Sequence, residues 1–176
     1  MAIITLNNRA TNRSDTASAG QVFTATSATA ADFQAGGGGK VLQVVSTIRA
    51  TEISTSSTNY VTTNCTASIT PSATSSKVLV TIAGAGRQNN DGGTAKYTVF
   101  RDTTALGSNT TNGFSEISVS GATFIKGAYV VNFLDSPSST SSVAYTLFMK
   151  NQTGSTGCRA CHNNTNTTVT LMEIGA

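Results

Sequence analysis

The chain has 176 residues, 11 basic and 8 acidic side chains and a formal charge of +3, enough for one domain with a real core and too short for two large ones. Only 11% of residues are charged, whereas Ser and Thr supply roughly 30%. The basic residues (Arg9, Arg13, Lys40, Arg49, Lys77, Arg87, Lys96, Arg101, Lys126, Lys150 and Arg159) are scattered without interleaved aromatics, which speaks against a nucleic-acid partner, and no apolar run approaches the ~18 residues of a membrane span.

Residues 1–39 read differently from the rest. Ile3, Ile4 and Leu6 suggest a short strand or hook, and Asn7 to Ala31 is polar and anchored only by Val22 and Phe23. Ser27 to Ala35 carries helix formers behind a Ser27 cap and ahead of Gly36, predicting one short helix. Gly36 to Gly39 is the clearest linker in the chain. The segment from Met1 to Asn7 has neither a basic stretch nor a small-residue cleavage site, so a cytoplasmic origin is expected. An arm of this composition buries little of its own surface and is expected to gain order by docking elsewhere.

From Lys40 the pattern changes to short strands between turn formers. Val41–Ile48 and Tyr60–Ile69 are rich in β-branched residues, with Thr51–Thr58 a polar turn between them and Pro71 ending the second. Lys77–Ala83 is expected as a core strand, Gly84–Gly93 as a loop with Asn90-Asp91-Gly92-Gly93 turn chemistry, and Lys96–Arg101 as an alternating strand closed by a turn at Asp102–Thr104. Phe114–Val119, Ile125–Leu134, Val143–Lys150 and Thr167–Ile174 follow, with a weaker strand over Ser155–His162. About eight strands separated by turns every ~8–15 residues predict an all-β fold, a jelly-roll-like β-sandwich over 40–176 behind an N-terminal anchoring arm at 1–39.

Cys158-Arg159-Ala160-Cys161-His162 matches the C-x-x-C-H pattern of covalent haem attachment. The context opposes it: no export signal, no helices to enclose a macrocycle, and no second His, leaving Met149 or Met172 as the other axial ligand. A closed zinc site needs four ligands, and only Cys65 would join these three. The expectation is therefore cysteines packed as small hydrophobes, with a link from Cys65 to Cys158 or Cys161 open to the chain once it meets oxidising surroundings.

Nucleophilic catalysis requires a base oriented by a third group. The single His162 directly follows Cys161, and adjacent strand residues point to opposite faces. The acids Asp15, Asp32, Glu52, Asp91, Asp102, Glu116, Asp135 and Glu173 could form a glycosidase pair only by folding together, and Trp is absent. Asn89-Asn90-Asp91-Gly92 lacks EF-hand spacing and reads as a turn. The expectation is no enzyme, no catalytic, cofactor-binding or metal residues, and no cofactor.

Several blocks carry a resemblance. Gly39–Val45, Thr66–Val80, Arg101–Gly107, Phe133–Pro137 and Thr170–Ile174 resemble, in that order, a β-sandwich domain frequent in virion proteins of marine and freshwater, cyanophage-like bacteriophages. The stretch from Ile3 to Gln34 resembles N-terminal arms attached to such domains. The resemblance implies a virion structural protein assembled in a bacterial cytoplasm, oligomeric and often trimeric, serving as a capsid decoration (cement) protein or a head or tail fibre component beside a major capsid or tail protein. It carries over no catalytic residue, and Cys158–His162 is not part of it. The chain is short for a full tail fibre, which favours decoration or a short head fibre. The competing expectation is a receptor-binding fibre tip that recognises a host surface glycan through loops 84–94 or 151–166.

Overall fold

The computed structural model describes residues 3–6, 9–12, 21–25, 31–35, 40–89, 91–107, 112–154 and 157–175. The chain divides into two compact units, Met1–Gly38 and Gly39–Ala176. In the first, β1 (Ile3–Leu6) pairs antiparallel with β2 (Arg9–Asn12), and β3 (Gln21–Ala25) with β4 (Ala31–Ala35). The predicted helix over Ser27–Ala35 is corrected where it can be seen: residues 31–35 are strand, and the Ser27 cap lies outside the described residues. A helix of that length cannot repay its nucleation, whereas pairing with Gln21–Ala25 satisfies the backbone at once.

The second unit holds β5 (Val41–Arg49), β6 (Ile53–Thr55), β7 (Val61–Ile69), β8 (Lys77–Asn89), β9 (Thr94–Arg101), β10 (Thr104–Leu106), β11 (Ser115–Ser118), β12 (Phe124–Asp135), β13 (Val143–Asn151), β14 (Cys158–Ala160) and β15 (Thr167–Ile174). All ladders are antiparallel and fall into two sheets. One runs β5-β15-β8-β12, with β14 and β6 continuing beside the second half of β8. The other runs β7-β13-β9, with β10 and β11 sharing the far edge of β9.

Counting β10 and β11 as one interrupted strand and setting aside the short β6 and β14, eight strands remain. The first pairs with the eighth (β5·β15), the second with the seventh (β7·β13), the third with the sixth (β8·β12) and the fourth with the fifth (β9 with β10 and β11). That nested pairing, split over two facing sheets, is a jelly roll, so the all-β sandwich expected from strand spacing is the fold.

Period-two alternation builds the core. Cys65, Ala67 and Ile69 of β7 and Tyr145, Leu147 and Met149 of β13 face inward from one sheet. Val78, Val80 and Ile82 of β8, Tyr129 and Val131 of β12, and Val169 and Leu171 of β15 face them from the other.

Three local expectations are corrected. Residues 84–89 continue β8, so the expected loop shrinks to a turn around Asp91–Gly93. Gly84 and Gly86 made this stretch look like a loop, but they sit where tyrosines close in. A Cβ on Gly84 would press on the Tyr129 and Thr167 hydroxyls, and one on Gly86 on the Tyr97 hydroxyl. Within the expected turn at 51–58, residues 53–55 form β6, and Thr104 opens β10 instead of ending a turn. Both are three-residue edge pairings set by tertiary neighbours, too short to leave a periodic signal.

Candidate functional site

The Cys158–His162 segment folds as two pieces. Cys158–Ala160 is β14, with Cys158 and Ala160 turned into the core and Arg159 outward. Cys161 then adopts a left-handed conformation (φ 51°) and His162–Asn164 forms a short 3-10 turn, which corrects the expected strand through residue 162. Side-chain alternation therefore does not govern residues 161 and 162. They still diverge: Cys161 points into the core, and His162 turns to Glu52.

Cys161 meets a residue from the opposite layer. Along β7 the register against β13 shifts at Leu147/Phe148, and Asn64 takes a positive φ of 58°, forming a bulge. The Thr63 hydroxyl donates to the Leu147 carbonyl at 2.8 Å, so Thr63 and then Cys65 both project inward. Cys65 Sγ lies 3.6 Å from Cys161 Sγ, and all three cysteines are free thiols. Cys161 Sγ is also 3.2 Å from Thr167 Oγ1, whose hydroxyl is 2.5 Å from that of Tyr129. Tyr129 stacks on Tyr97 with ring centroids 4.4 Å apart, and the Tyr97 hydroxyl donates to the Arg159 carbonyl at 2.6 Å.

The hydrogen bond between the two sulfurs polarises the pair: Cys65 stabilises charge on Cys161, which lowers the Cys161 thiol and raises that of Cys65. Burial pushes the Cys158 thiol up to about 11.

A second cluster encloses the turn from outside. The Arg159 guanidinium donates to the Glu52 carboxylate, whose other oxygen is 2.9 Å from His162 Nδ1 and accepts the Asn163 N–H at 2.8 Å. Asn164 Oδ1 accepts the Glu52 N–H at 3.1 Å. Burial alone would raise the Glu52 carboxyl, but the Asn163, His162 and Arg159 donors outweigh it and hold it below the usual range.

Cys158 and Cys161 are enclosed in the core, His162 turns to Glu52, Met149 is buried on β13, and Met172 lies on the outward side of β15. Among the described residues, no three of His, Cys, Asp and Glu are grouped to hold a metal ion. Four of the acids each have a partner of their own. Asp135 accepts from Arg101 at 2.7 Å, Glu116 pairs with Lys96 at 3.0 Å, and Asp102 accepts the Ala144 N–H at 3.0 Å. Asp91 accepts the Gly121 N–H at 2.6 Å, a turn role, while Asp15 and the Asp32 side chain lie outside what is described.

The buried Glu173 was not anticipated. It accepts from Gln43 Nε2 at 2.6 Å and from the Ser72 N–H and hydroxyl at 2.7 and 2.6 Å. Burial raises its carboxyl, yet donors from Ser72, Gln43 and Ser76 bring it down to about 2. The signal was present in the sequence: Thr167, Val169, Leu171 and Glu173 are the inward set of one alternating strand.

The outer face of the β5-β15-β8-β12 sheet is the other notable surface. Val44, Met172, Leu79 and Leu134 lie opposite one another across all four strands. Two residues along, Ser46, Thr170, Thr81 and Asn132 form a polar row, and Ile48, Thr168, Ala83 and Val130 the next. No charge occurs in the three rows, and Val44 (57%), Leu134 (51%), Ile48 (66%) and Val130 (56%) are well exposed. Farther along, Arg159, Arg87 and Lys126 are cross-strand neighbours, with Arg87 4.2 Å over the Phe124 ring, so three of the basic residues scattered in sequence are gathered in space. Among the described residues, no helix is long and apolar enough to cross a membrane, which leaves strand-built spans untouched.

No known protein family matches the chain, and no curated protein does. Among solved structures it is similar to VP2 of infectious bursal disease virus. A mutant VP2 in derived T=1 particles aligns with 12% identity and a TM-score of 0.34 over 86% of this chain and 40% of that one. The VP2 subviral particle gives 12% identity and 0.35, over 86% of this chain and 41% of that one. The chain thus spans about two-fifths of these viral proteins.

Proposed function

We propose that this chain is a virion structural protein, an oligomeric capsid decoration or short head or tail fibre component, that docks through residues 1–39 and displays its jelly roll. The observation that carries the reading is the uncharged outer face of the β5-β15-β8-β12 sheet. Two stripes of exposed apolar side chains, one through Val44 and Leu134 and one through Ile48 and Val130, flank a row of neutral Ser, Thr and Asn, and exposed apolar side chains grouped in this way on one sheet support an association surface. Its occupant is a second copy of the same chain: the three rows are uncharged, so two such faces meet with no like-charge repulsion and no desolvated ion. The order of sequence blocks resembling phage virion domains supports the same assignment.

Light scattering on the purified full chain tests the association. An oligomer is expected at micromolar concentration, and the double substitution Val44→Lys, Leu134→Lys should return monomers with unchanged far-UV circular dichroism. A monomeric wild type, or an oligomer indifferent to both lysines, overturns it. Deleting residues 2–35 should leave a folded domain that no longer joins particles; normal incorporation would sink the docking role.

A further inference from the structure

Cys65 and Cys161 come from opposite layers of the sandwich, are separated by ninety-five residues of chain, and present their sulfurs to each other at 3.6 Å in a buried site. We propose that they are a redox-sensitive pair, a latent disulfide that ties the two layers together when the folded chain meets a hydroperoxide.

The backbone around both sulfurs is shaped for the encounter. The bulge at Asn64 aims Cys65 inward, and the left-handed turn at Cys161 carries that side chain off the line of β14 toward it. The sulfurs must close from van der Waals contact to a bond of about 2.05 Å, a movement within reach of small side-chain rotations. Cys161 is the attacking sulfur, because Cys65 and Thr167 surround it with hydrogen-bonding groups that favour its thiolate, whereas burial raises Cys158. The oxidant has to be small. The pair lies behind the His162–Asn164 turn pinned by Glu52, and a peroxide can enter through a local opening that would stop a bulky disulfide.

The chemistry balances in two steps. The Cys161 thiolate attacks one oxygen of hydrogen peroxide, the O–O bond breaks, and hydroxide leaves and becomes water with the proton released from Cys161, giving a sulfenic acid. Cys65 then attacks the sulfenyl sulfur, its proton joins the departing hydroxyl, and the S–O bond breaks as S–S forms. Two thiols and one peroxide become one disulfide and two waters. In a reducing cytoplasm both remain thiols, so the lock belongs to the chain after it leaves that compartment.

The test is mild hydrogen peroxide on the folded full chain, followed by unfolding in an alkylating reagent and peptide mass mapping without reductant. The expected result is one alkylated cysteine, Cys158, in place of three, a peptide containing Cys65 joined to one containing Cys161, and recovery of all three on reduction. Three alkylated cysteines, a cross-link through Cys158, or Cys161 accumulating as sulfinic acid beside a free Cys65 would each overturn the pair. Cys158→Ser should keep the cross-link. The same treatment in urea should lose the preference for Cys65–Cys161, and an undiminished preference there would show that the fold plays no part. The oxidised chain should unfold at a higher denaturant midpoint than the reduced one; a lower midpoint would refute a stabilising lock.

Discussion

Strand β15 ends in two different buried polar sites, six residues apart on the same inward row. At its start Thr167 joins Tyr129, Cys161 and Cys65; at its end Glu173 receives Ser72 and Gln43. The carboxylate end is a charge whose donors are all in place, so it is rigid and chemically quiet. The thiol end is soft and held by weaker contacts, including a sulfur pair 3.6 Å apart. One strand thus shows two ways of placing polarity in a core: full satisfaction, which fixes geometry, and partial satisfaction, which leaves a reactive group.

The largest effect should come from emptying the carboxylate end. Glu173→Ala strands the Ser72 N–H and hydroxyl and the Gln43 amide without their acceptor, at a cost of about 3–5 kcal/mol measured by denaturant unfolding. Titration probes the same end more gently. Because the folded pKa of Glu173 is depressed to about 2, its stabilisation is complete above the unfolded value near 4.5 and is lost as pH falls toward 2. A loss on the order of 3 kcal/mol is expected across that window, and Glu173→Gln should flatten this part of the profile.

The thiol end should yield less. Gly84→Ala drives a methyl against the Thr167 and Tyr129 hydroxyls, and about 1–3 kcal/mol is expected, with the midpoint of thermal or denaturant unfolding as the readout. Smallest of all, Cys65→Ala should cost about 1 kcal/mol and raise the Cys161 thiol by removing its first donor, seen as slower alkylation of Cys161 at neutral pH. If the order of Glu173 and Cys65 effects were reversed, the contrast between a rigid and a soft end would be wrong.

Much of this was legible along the chain. The strands expected over 41–48, 60–69, 143–150 and 167–174 match β5, β7, β13 and β15 within a residue, and Pro71 follows the end of β7 as expected. Gly84 and Gly86 misled because a glycine reads as a breaker until the tyrosine it accommodates is known, and Tyr129 lies far downstream. The short β6 and β10 were invisible for a related reason, since each exists only as the edge partner of another strand. At 158–162 the sequence left a link from Cys65 to Cys158 or to Cys161 open, and the structure sets the Cys65 sulfur beside that of Cys161, a choice that the local spacing of Cys158 and Cys161 does not contain.

By itself the sequence determined the long strands of residues 40–176 and hence an all-β sandwich, because runs of β-branched and aromatic residues between turn formers are a local property. Only the tertiary structure decided which strands are neighbours, and with that which polar groups meet. Glu52 is held by Arg159 and His162, Glu173 by Ser72 and Gln43, and Cys65 faces Cys161, all across long stretches of chain. The physical reason is that a strand specifies its face but not its partner. Partner choice rests on how the nested pairing closes over one core, and no local window contains that information.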